Sequence, residues 1–350
     1  MARFSAPDVI EFARSAFVAA GLEPSKALTV AEILVEADLM GHDTHGLQLL
    51  PSYLQKLSDG DMTPSGEPEI VSHRGAVQVW DGRYLCGVWL TERALTAASE
   101  AAAQYGMGAV TIRRSSHIAC LAAYLQRITD KGQVAMITCC DPSGKSVAPF
   151  GGLDAVFTPD PVAWGIPTEG DPILIDVSAS ITTNGMTNRS AARGDKLKGQ
   201  WLQDAGGCLT DDPAVMSASP KGTLLPTGGQ DHGHKGYAQA LVTETLSQGF
   251  SGFGRIDGPT QWGAAVFVQV FEPEFFAGTA SFLRQATHIA ESCRAARPAP
   301  GVDAVRLPGE RALQRKRAAL ADGVPLADDL VAQLEKTATT YGLVLPQPRP

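Results

Sequence analysis

The sequence predicts an α/β fold, with a strand-rich middle between helical segments at both ends. Apolar residues recur at helical spacing over residues 6–20 and 25–39, and again over 276–296 and 310–339. Between them, short apolar runs bounded by turn residues alternate with helical stretches, as expected of an α/β core. Of the 350 residues, 44% are hydrophobic and 19% are charged, a composition that permits a large core in two or three domains.

The individual elements follow from their patterns in chain order. Residues 45–58 predict a third helix, in which Pro51 either lies in the first turn or causes a bend. Helices are also expected at 90–105 and 118–130, and strands at 69–73, 76–82, 108–114, 133–140, 162–167, 173–178 and 263–270. The strand at 133–140 has few polar residues, which is typical of a strand buried on both faces. We predict a helical domain from residues 1–65 and 285–350, and an α/β core over 66–284 with one or two subdomains.

Charge and cysteine usage argue against several classes of protein. The formal net charge is −8, so neither nucleic acid nor an anionic membrane is an expected partner. No apolar run reaches the roughly 18 residues of a membrane-spanning helix, and the N-terminus lacks the apolar segment of a signal peptide. The six cysteines form no CxxC pair, which favours reduced, mostly buried thiols in a cytoplasmic protein.

The segment GHDTHGLQLLP concentrates the groups with the greatest catalytic potential. His42, Asp43 and His45 could ligate a metal, but no HExxH motif follows and we predict no metal. Asp43 or Thr44 could instead cap the next helix. A third interpretation is proton transfer by His45, because an imidazole ionises near neutral pH and Gly46 would let a ligand approach the backbone. Local sequence alone favours the cap.

A dinucleotide site of the Rossmann type is not indicated, because the GxGxxG fingerprint is absent. The glycine-rich segment GGQDHGHKGY, residues 228–237, leads into a helix predicted to begin near Lys235. Backbone N–H groups at a helix N-terminus together with a lysine suit a phosphate or pyrophosphate. A glycine-rich segment of this kind is also typical of an ordinary loop, so both interpretations stay open.

Eight segments occur together in a consistent order along the chain. They are THGLQLLPSYLQKLSDGD, VWDGRYLCG, RRSSHIACLAAY, VAPFGG, LIDVSASITTNG, GQWLQDAGGCLTDDP, LLPTGG with GHKGYAQALV, and RLPGER. Taken together, they resemble the type-2 malate/L-lactate/sulfolactate dehydrogenase family. That family includes 2,3-diketogulonate reductase, ureidoglycolate dehydrogenase and piperideine-2-carboxylate reductase.

The resemblance implies an NAD(P)-dependent oxidoreductase for a small-molecule substrate, built on a non-Rossmann mixed-sheet core. It also implies a homodimer with active sites near the subunit interface. His45 matches the family histidine that donates a proton to the ketone, and Thr44 replaces the adjacent serine that could orient it. His117 matches a histidine beside the nicotinamide and the substrate, and Ser116 lies in the same segment.

The resemblance also implies which segments bind NAD(H) or NADP(H), with the choice between the two left open. His117 is one of these contacts. The other implied contacts are Ile173, Leu174, Ile175, Asp176, Val177 and Ser178 on a strand, His234 and Lys235 at a helix start, and Gly309, Glu310 and Arg311 near the C-terminus.

Three departures from the family pattern concern the substrate. Leu49 stands where the family has an arginine that binds the substrate carboxylate, and a leucine offers no charge-assisted bond. Asp160 replaces an asparagine, and Met186 replaces a lysine. We therefore expect either a less anionic, more apolar or cationic substrate, or another arginine that binds the carboxylate. The candidate replacements are Arg189, Arg193 and Arg114. A cyclic-imine reductase and a member that has lost catalysis but retains binding are the alternatives.

Overall fold

The computed structural model of the protein describes residues 1–349 and contains twelve strands and eleven α-helices. The strands are β1 Ala2–Phe4, β2 Glu69–Arg74, β3 Val77–Asp81, β4 Met107–Ser115, β5 Val134–Cys140, β6 Val162–Ile166, β7 Ile173–Val177, β8 Leu202–Gln203, β9 Leu209–Thr210, β10 Thr223–Leu224, β11 Ala264–Phe271 and β12 Val324–Leu326. The helices are α1 Ala6–Ala19, α2 Pro24–Met40, α3 Leu50–Asp59, α4 Gly87–Tyr105, α5 Ala122–Thr129, α6 Asn184–Arg193, α7 Gly229–His232, α8 His234–Glu244, α9 Thr279–Ala295, α10 Glu310–Asp322 and α11 Asp328–Tyr341.

A seven-stranded mixed sheet forms the centre of the molecule, in the order β2-β3-β4-β11-β5-β6-β7. Strands β3 and β4 run parallel, and the other neighbours run antiparallel. Alternate side chains point to opposite faces. Val110, Ile137 and Val268 join the main hydrophobic core under α4 and α5, whereas Met136 and Phe267 belong to a smaller cluster on the other face. The α/β prediction is therefore confirmed, and β5 is buried on both faces as expected.

The two ends of the chain pack together. Helix α10 lies along α2, α11 contacts α1, and β1 pairs with β12 in a two-stranded ladder. The helical pattern predicted over 310–339 is divided between α10 and α11. Gly323 adopts a φ of 100°, outside the helical region, and Pro325 follows within the short strand β12. The apolar spacing continues on both sides of this break and therefore does not predict it.

Other boundaries also differ from the sequence pattern. Helix α3 begins at Leu50 after a short 3-10 turn, and Pro51 lies in its first turn. Helix α5 begins at Ala122 rather than near 118, because Ala119 has a left-handed φ of 56° that a helix cannot contain. Helix α6 was not predicted, since Thr187 is its single buried residue and it has no apolar stripe. Strands β8 to β10 have two residues each, too few for an alternating pattern to register.

Candidate active site

His45 lies in the turn between α2 and α3, and a buried carboxyl holds that turn from beneath. The backbone N–H of Leu47 donates a 2.8 Å hydrogen bond to Oδ2 of Asp38. A Cβ on Gly46 would collide with the same carboxyl group, so the glycine accommodates the protein's own Asp38 rather than a ligand. Burial raises the pKa of Asp38 to about 8, which keeps it neutral at pH 7.

The imidazole of His45 has one nitrogen engaged by a hydroxyl. Nδ1 lies 2.8 Å from Oγ1 of Thr44, the residue predicted to orient it. Nε2 has no hydrogen-bond partner among residues 1–349 and is therefore the nitrogen available to a ligand. Burial lowers the pKa of His45 below its ordinary value of 6.5, and the nearby carboxylate of Asp176 opposes that shift. The ring is thus mainly neutral at pH 7.

His117 is held in a different way. Its Nδ1 lies 2.6 Å from the hydroxyl of Tyr53 and accepts a 3.3 Å hydrogen bond from the backbone N–H of Ala119. An amide N–H can only donate, so Nδ1 must be an acceptor and the neutral ring carries its hydrogen on Nε2. Burial, followed by the charges of His45 and Lys56, lowers the pKa of His117 to about 3.

The two histidines face each other across the site. Their ring centroids are 6.0 Å apart and the ring planes differ by 24°. The indole of Trp262 lies 5.6 Å from the His117 ring, and the edge of Tyr53 approaches it at 5.8 Å. The structure thus brings together the two histidines that the sequence selected and adds an aromatic wall beside His117.

Arginines near the site differ in their availability. Arg189 on α6 reaches Asp43 at 3.4 Å, and with Arg193 and Thr44 it lines an open cleft of about 920 Å³. This places Arg189 on the His45 side of the pair. Arg114, another candidate for the carboxylate, binds Asp81 through Nε at 2.9 Å and a second nitrogen of the same guanidinium. A substrate carboxylate would therefore have to displace Asp81 to bind Arg114.

The other predicted substrate residues differ in burial. Leu49 is half-buried and packs against the main core, Met186 is half exposed, and Ser116 is buried. Asp160 is completely buried and accepts a hydrogen bond from Thr158.

Burial and the neighbouring Glu244 raise the pKa of Asp160 well above the usual range, and the Thr158 hydroxyl and Arg255 oppose that shift. The φ of Asp160 is 45°, in the left-handed region where aspartate and asparagine are both enriched. The residue therefore shares the backbone preference of the asparagine in the family pattern.

The predicted cofactor segments contact one another at strand β7. The N–H of Leu174 donates to the carbonyl of Pro308 at 3.2 Å, and a Cβ on Gly309 would lie 2.6 Å from the Leu174 side chain. At the other end of the strand, the carbonyl of Ser178 accepts a 3.0 Å bond from the hydroxyl of Thr227. The C-terminal turn and the segment before α8 thus lie against one strand.

Helix α8 begins where this strand ends. Its start abuts the chain after β7, because a Cβ on Gly236 would collide with the Ala179 carbonyl. No side chain caps α8, and the exposed Lys235 lies in its first turn. The Gly236 N–H donates to the carbonyl of Thr227. A helix N-terminus that carries a lysine fits the pyrophosphate of a dinucleotide.

The remaining predicted cofactor residues have varied surroundings. The carboxylate of Asp176 accepts a 2.9 Å bond from Ala122 N at the start of α5, and Glu310 binds both Leu307 N and Arg294. These two carboxylates therefore hold local structure. The aromatic ring of Phe150 lies 5.7 Å from His234. Of the other members, Ile173 is buried, Ile175 is half-buried, and Val177 and Arg311 are exposed.

Two classes of feature do not occur in the part of the chain that the structure covers. Within residues 1–349, no group of three or more His, Cys, Asp or Glu side chains is placed to hold a metal ion. No helix in the same range has the length and apolarity needed to cross a membrane.

Several residues of the site were not selected from the sequence. Asp38, Tyr53, Lys56 and Trp262 all lie next to one of the two histidines or its supports. The helical spacing of the sequence could have indicated two of them, because Tyr53 and Lys56 are one turn apart on the same face of α3. Trp262 comes from a distant part of the chain, and no local pattern points to it.

Comparison with known proteins identifies what the chain is similar to. The model of the family described as malate/L-lactate dehydrogenase matches residues 4–335. Hydroxycarboxylate dehydrogenase B of Escherichia coli O157:H7 is 30% identical over 331 residues, covering 93% of this chain and 90% of that protein. L-lactate dehydrogenase of Cupriavidus necator is 29% identical over 343 residues, covering 96% of this chain and 97% of that protein.

A solved structure has the same fold. Malate dehydrogenase from Entamoeba histolytica superposes with a TM-score of 0.92 at 24% sequence identity, and the match covers 99% of each chain. At this identity the likeness concerns the fold alone. The seven-stranded mixed sheet with its surrounding helices is therefore an architecture found among malate dehydrogenases.

Proposed function

The chain belongs to the malate/L-lactate dehydrogenase family, and we propose that it transfers hydride between NAD(H) or NADP(H) and a 2-keto or 2-hydroxy acid. The observation that carries the proposal is the facing pair of neutral imidazoles, His45 and His117. One has a free nitrogen that can exchange a proton, and the other has a fixed N–H donor. A carbonyl oxygen that becomes a hydroxyl needs both functions.

We assign proton exchange to Nε2 of His45. When Nε2 is bare, the neutral ring carries its hydrogen on Nδ1, so the Thr44 hydroxyl accepts from Nδ1–H both before and after Nε2 takes up a proton. The lowered pKa makes His45 a ready base at pH 7, which suits removal of the proton from a 2-hydroxy acid. In the reductive direction the protonated ring returns that proton to the oxygen.

We assign hydrogen-bond donation to His117. Its Nε2–H is fixed by the two donors at Nδ1, so it can stabilise negative charge on the substrate oxygen without changing its own protonation. Protonating Nδ1 would turn the Ala119 N–H toward another N–H and leave it without its acceptor. His117 is therefore a poor proton carrier and a good fixed donor.

The cofactor residues of the proposal are those that meet at β7. Residues Ile173 to Ser178, Gly309 to Arg311, and His234 with Lys235 would hold the dinucleotide, with His117 beside its nicotinamide. Reduced nicotinamide, when bound, supplies a hydride to the substrate carbon. The role of the protein is to hold the substrate and exclude water while His45 and His117 act on the oxygen.

We further propose an atypical substrate, a homodimer with the active site near the subunit interface, and a cytoplasmic location. Leu49 supports the first point, because it brings an apolar side chain to the position of a carboxylate-binding arginine. We also propose that residues 1–65 and 285–350 act as one helical domain beside the 66–284 core, and the contacts between α2 and α10 support that division. The mixed, mainly antiparallel pairing supports a non-Rossmann cofactor site.

A substrate and cofactor panel tests the proposal. Reduction of 2-keto acids, their amides or esters, and cyclic imines would be followed through the absorbance of NADH and NADPH. We expect turnover of at least one keto acid and a cofactor-dependent rise in melting temperature. Absence of both would contradict the proposed function. Turnover of cyclic imines alone would favour an imine reductase, and a strong preference for oxaloacetate would contradict the inference from Leu49.

A further inference from the structure

Lys56 extends from α3 toward the His117 side of the site. Its Nζ lies 4.0 Å from the centroid of the Trp262 ring. The same indole lies 5.6 Å from the His117 imidazole, so a single aromatic ring separates the ammonium group from that histidine. Tyr53, one helical turn before Lys56, holds Nδ1 of His117. One face of α3 thus fixes the histidine and also directs a cation at its surroundings.

The ammonium group of Lys56 has no hydrogen-bond or ion-pair partner within residues 1–349, although it is half-buried. Two carboxylates, Asp61 and Asp141, lie close enough to influence its pKa, but neither forms an ion pair with it. Asp141 already accepts hydrogen bonds from the backbone and hydroxyl of Ser143. Burial lowers the pKa of Lys56, and a partly desolvated ammonium gains by acquiring an anionic partner.

Two of the three candidate arginines have carboxylate partners, and the third, Arg193, is an exposed residue of the cleft on the His45 side. Arg189 contacts Asp43, and Arg114 binds Asp81 with two nitrogens. A substrate carboxylate that used either arginine would have to compete with a protein carboxylate. Lys56 presents no such competition, and only the Trp262 ring lies between it and His117.

We propose that Lys56 binds the substrate carboxylate beside His117 and supplies the positive charge that Leu49 does not provide. This inference rests on the proposed function and assigns the substrate class within it. A lysine is a point charge rather than a two-pronged donor, so it suits a single carboxylate. The exposed indole of Trp262 forms an apolar surface next to it. The preferred substrate is accordingly a monocarboxylic 2-hydroxy or 2-keto acid with an apolar side chain.

Binding of oxamate, a non-reducible analogue of a 2-keto acid, tests the proposal without requiring turnover. Calorimetry would be carried out on the full chain saturated with reduced cofactor. We expect Lys56→Met, which retains the apolar stem on Trp262, to weaken oxamate binding about tenfold or more. Lys56→Arg retains the charge and should stay within about threefold of the wild type. The matched control is Lys221→Met, at an exposed lysine away from the site.

Each outcome of this experiment has a definite meaning. Unchanged oxamate affinity in Lys56→Met would overturn the proposal, as would a loss confined to Arg189→Met. Binding of the neutral diamide oxamide should not change in Lys56→Met, and a parallel loss would indicate damaged structure and overturn the charge assignment. If Lys56→Met loses oxamate and the wild type turns over no keto acid, the proposed function fails while the anion site stands.

Discussion

The two imidazoles of the site are supported by different kinds of hydrogen-bond partner. His45 lies in a turn and bonds the hydroxyl of Thr44. His117 lies after β4 and receives the backbone N–H of Ala119 together with the hydroxyl of Tyr53. Their rings stack 6.0 Å apart, and burial lowers the pKa of both. The difference between them therefore lies in the partner of Nδ1.

Because of that difference, the two histidines can have different roles, proton transfer and fixed hydrogen-bond donation. The Thr44 hydroxyl can accept from Nδ1–H of His45, which leaves Nε2 free to gain and lose a proton while the contact between Thr44 and His45 is kept. An amide N–H can only donate, so the contact between Ala119 and His117 opposes protonation at Nδ1. The account accordingly makes His45 the proton carrier and His117 a fixed donor.

Substitution of each histidine by glutamine should distinguish the two roles and should give the largest change in kcat. A glutamine side chain offers an N–H near the position of histidine Nε2 but cannot exchange a proton near pH 7. We expect His45→Gln to lower kcat by about a hundredfold or more, whereas His117→Gln should lose about tenfold because a donor remains. Steady-state kinetics with a substrate identified by the panel would measure both.

The control for these variants is the affinity for the reduced cofactor. His45→Gln should keep the wild-type rise in melting temperature with NADH or NADPH, since His45 is not among the proposed cofactor contacts. Equal losses of kcat in the two glutamine variants would remove the distinction between the histidines.

The hydroxyl that supports His45 can be tested by substituting Thr44. Thr44→Val keeps the shape of the side chain and removes its hydroxyl, leaving Nδ1 without a partner in the protonated state. We expect kcat to fall about tenfold, with Thr44→Ser close to wild type. If valine and serine behave alike in the kinetic assay, the hydroxyl has no part in proton exchange.

The fixed partners of His117 predict a smaller effect at Tyr53. Tyr53→Phe removes one of the two donors to Nδ1, but the N–H of Ala119 still sets the tautomer. We expect kcat to change by about threefold, in line with one neutral hydrogen bond. A pH-rate profile measured alongside should keep its shape. A loss as large as that of His45→Gln would indicate that Tyr53 itself carries the proton.

The turn beneath His45 should respond to pH through Asp38. Its folded-state pKa is raised to about 8 from 3.8, so the neutral form favours folding and stability is lost as pH rises through about 8. In Asp38→Asn the amide can still accept from Leu47 N, and this pH dependence should disappear. Denaturant unfolding between pH 5 and about 9 would measure the difference. Parallel curves for the two proteins would contradict the neutral carboxyl.

Some of this site could be predicted from the sequence. His45 and His117 lie in segments with recognisable spacing. The family resemblance implies that the segments around β7, Lys235 and Gly309 share one cofactor, and Gly309 and Gly236 pack against β7 and the chain after it. The longer strands were predictable because each buries a regular face. The break at Gly323 was not, because the helical pattern continues on both sides of it.

The rest depends on tertiary contacts. The tautomer of His117 follows from the hydrogen bond that the backbone N–H of Ala119 donates to Nδ1. Ala119 has a left-handed φ, a conformation that an alanine in the sequence does not predict. Gly46 was interpreted as giving room for a ligand, yet it gives room for Asp38. Lys56 gains its significance from Trp262, which comes from a distant part of the chain. Sequence spacing alone could not reveal these pairs.

The most direct test of the central claim is the pH dependence of kcat/KM for oxidation of a 2-hydroxy acid. The base form of His45 is required, so kcat/KM should fall as pH decreases through a pKa below the ordinary 6.5. His117→Gln should retain that acid limb, and His45→Gln should lose it while keeping a low, flat rate. An acid limb that persists in His45→Gln and vanishes in His117→Gln would contradict the account.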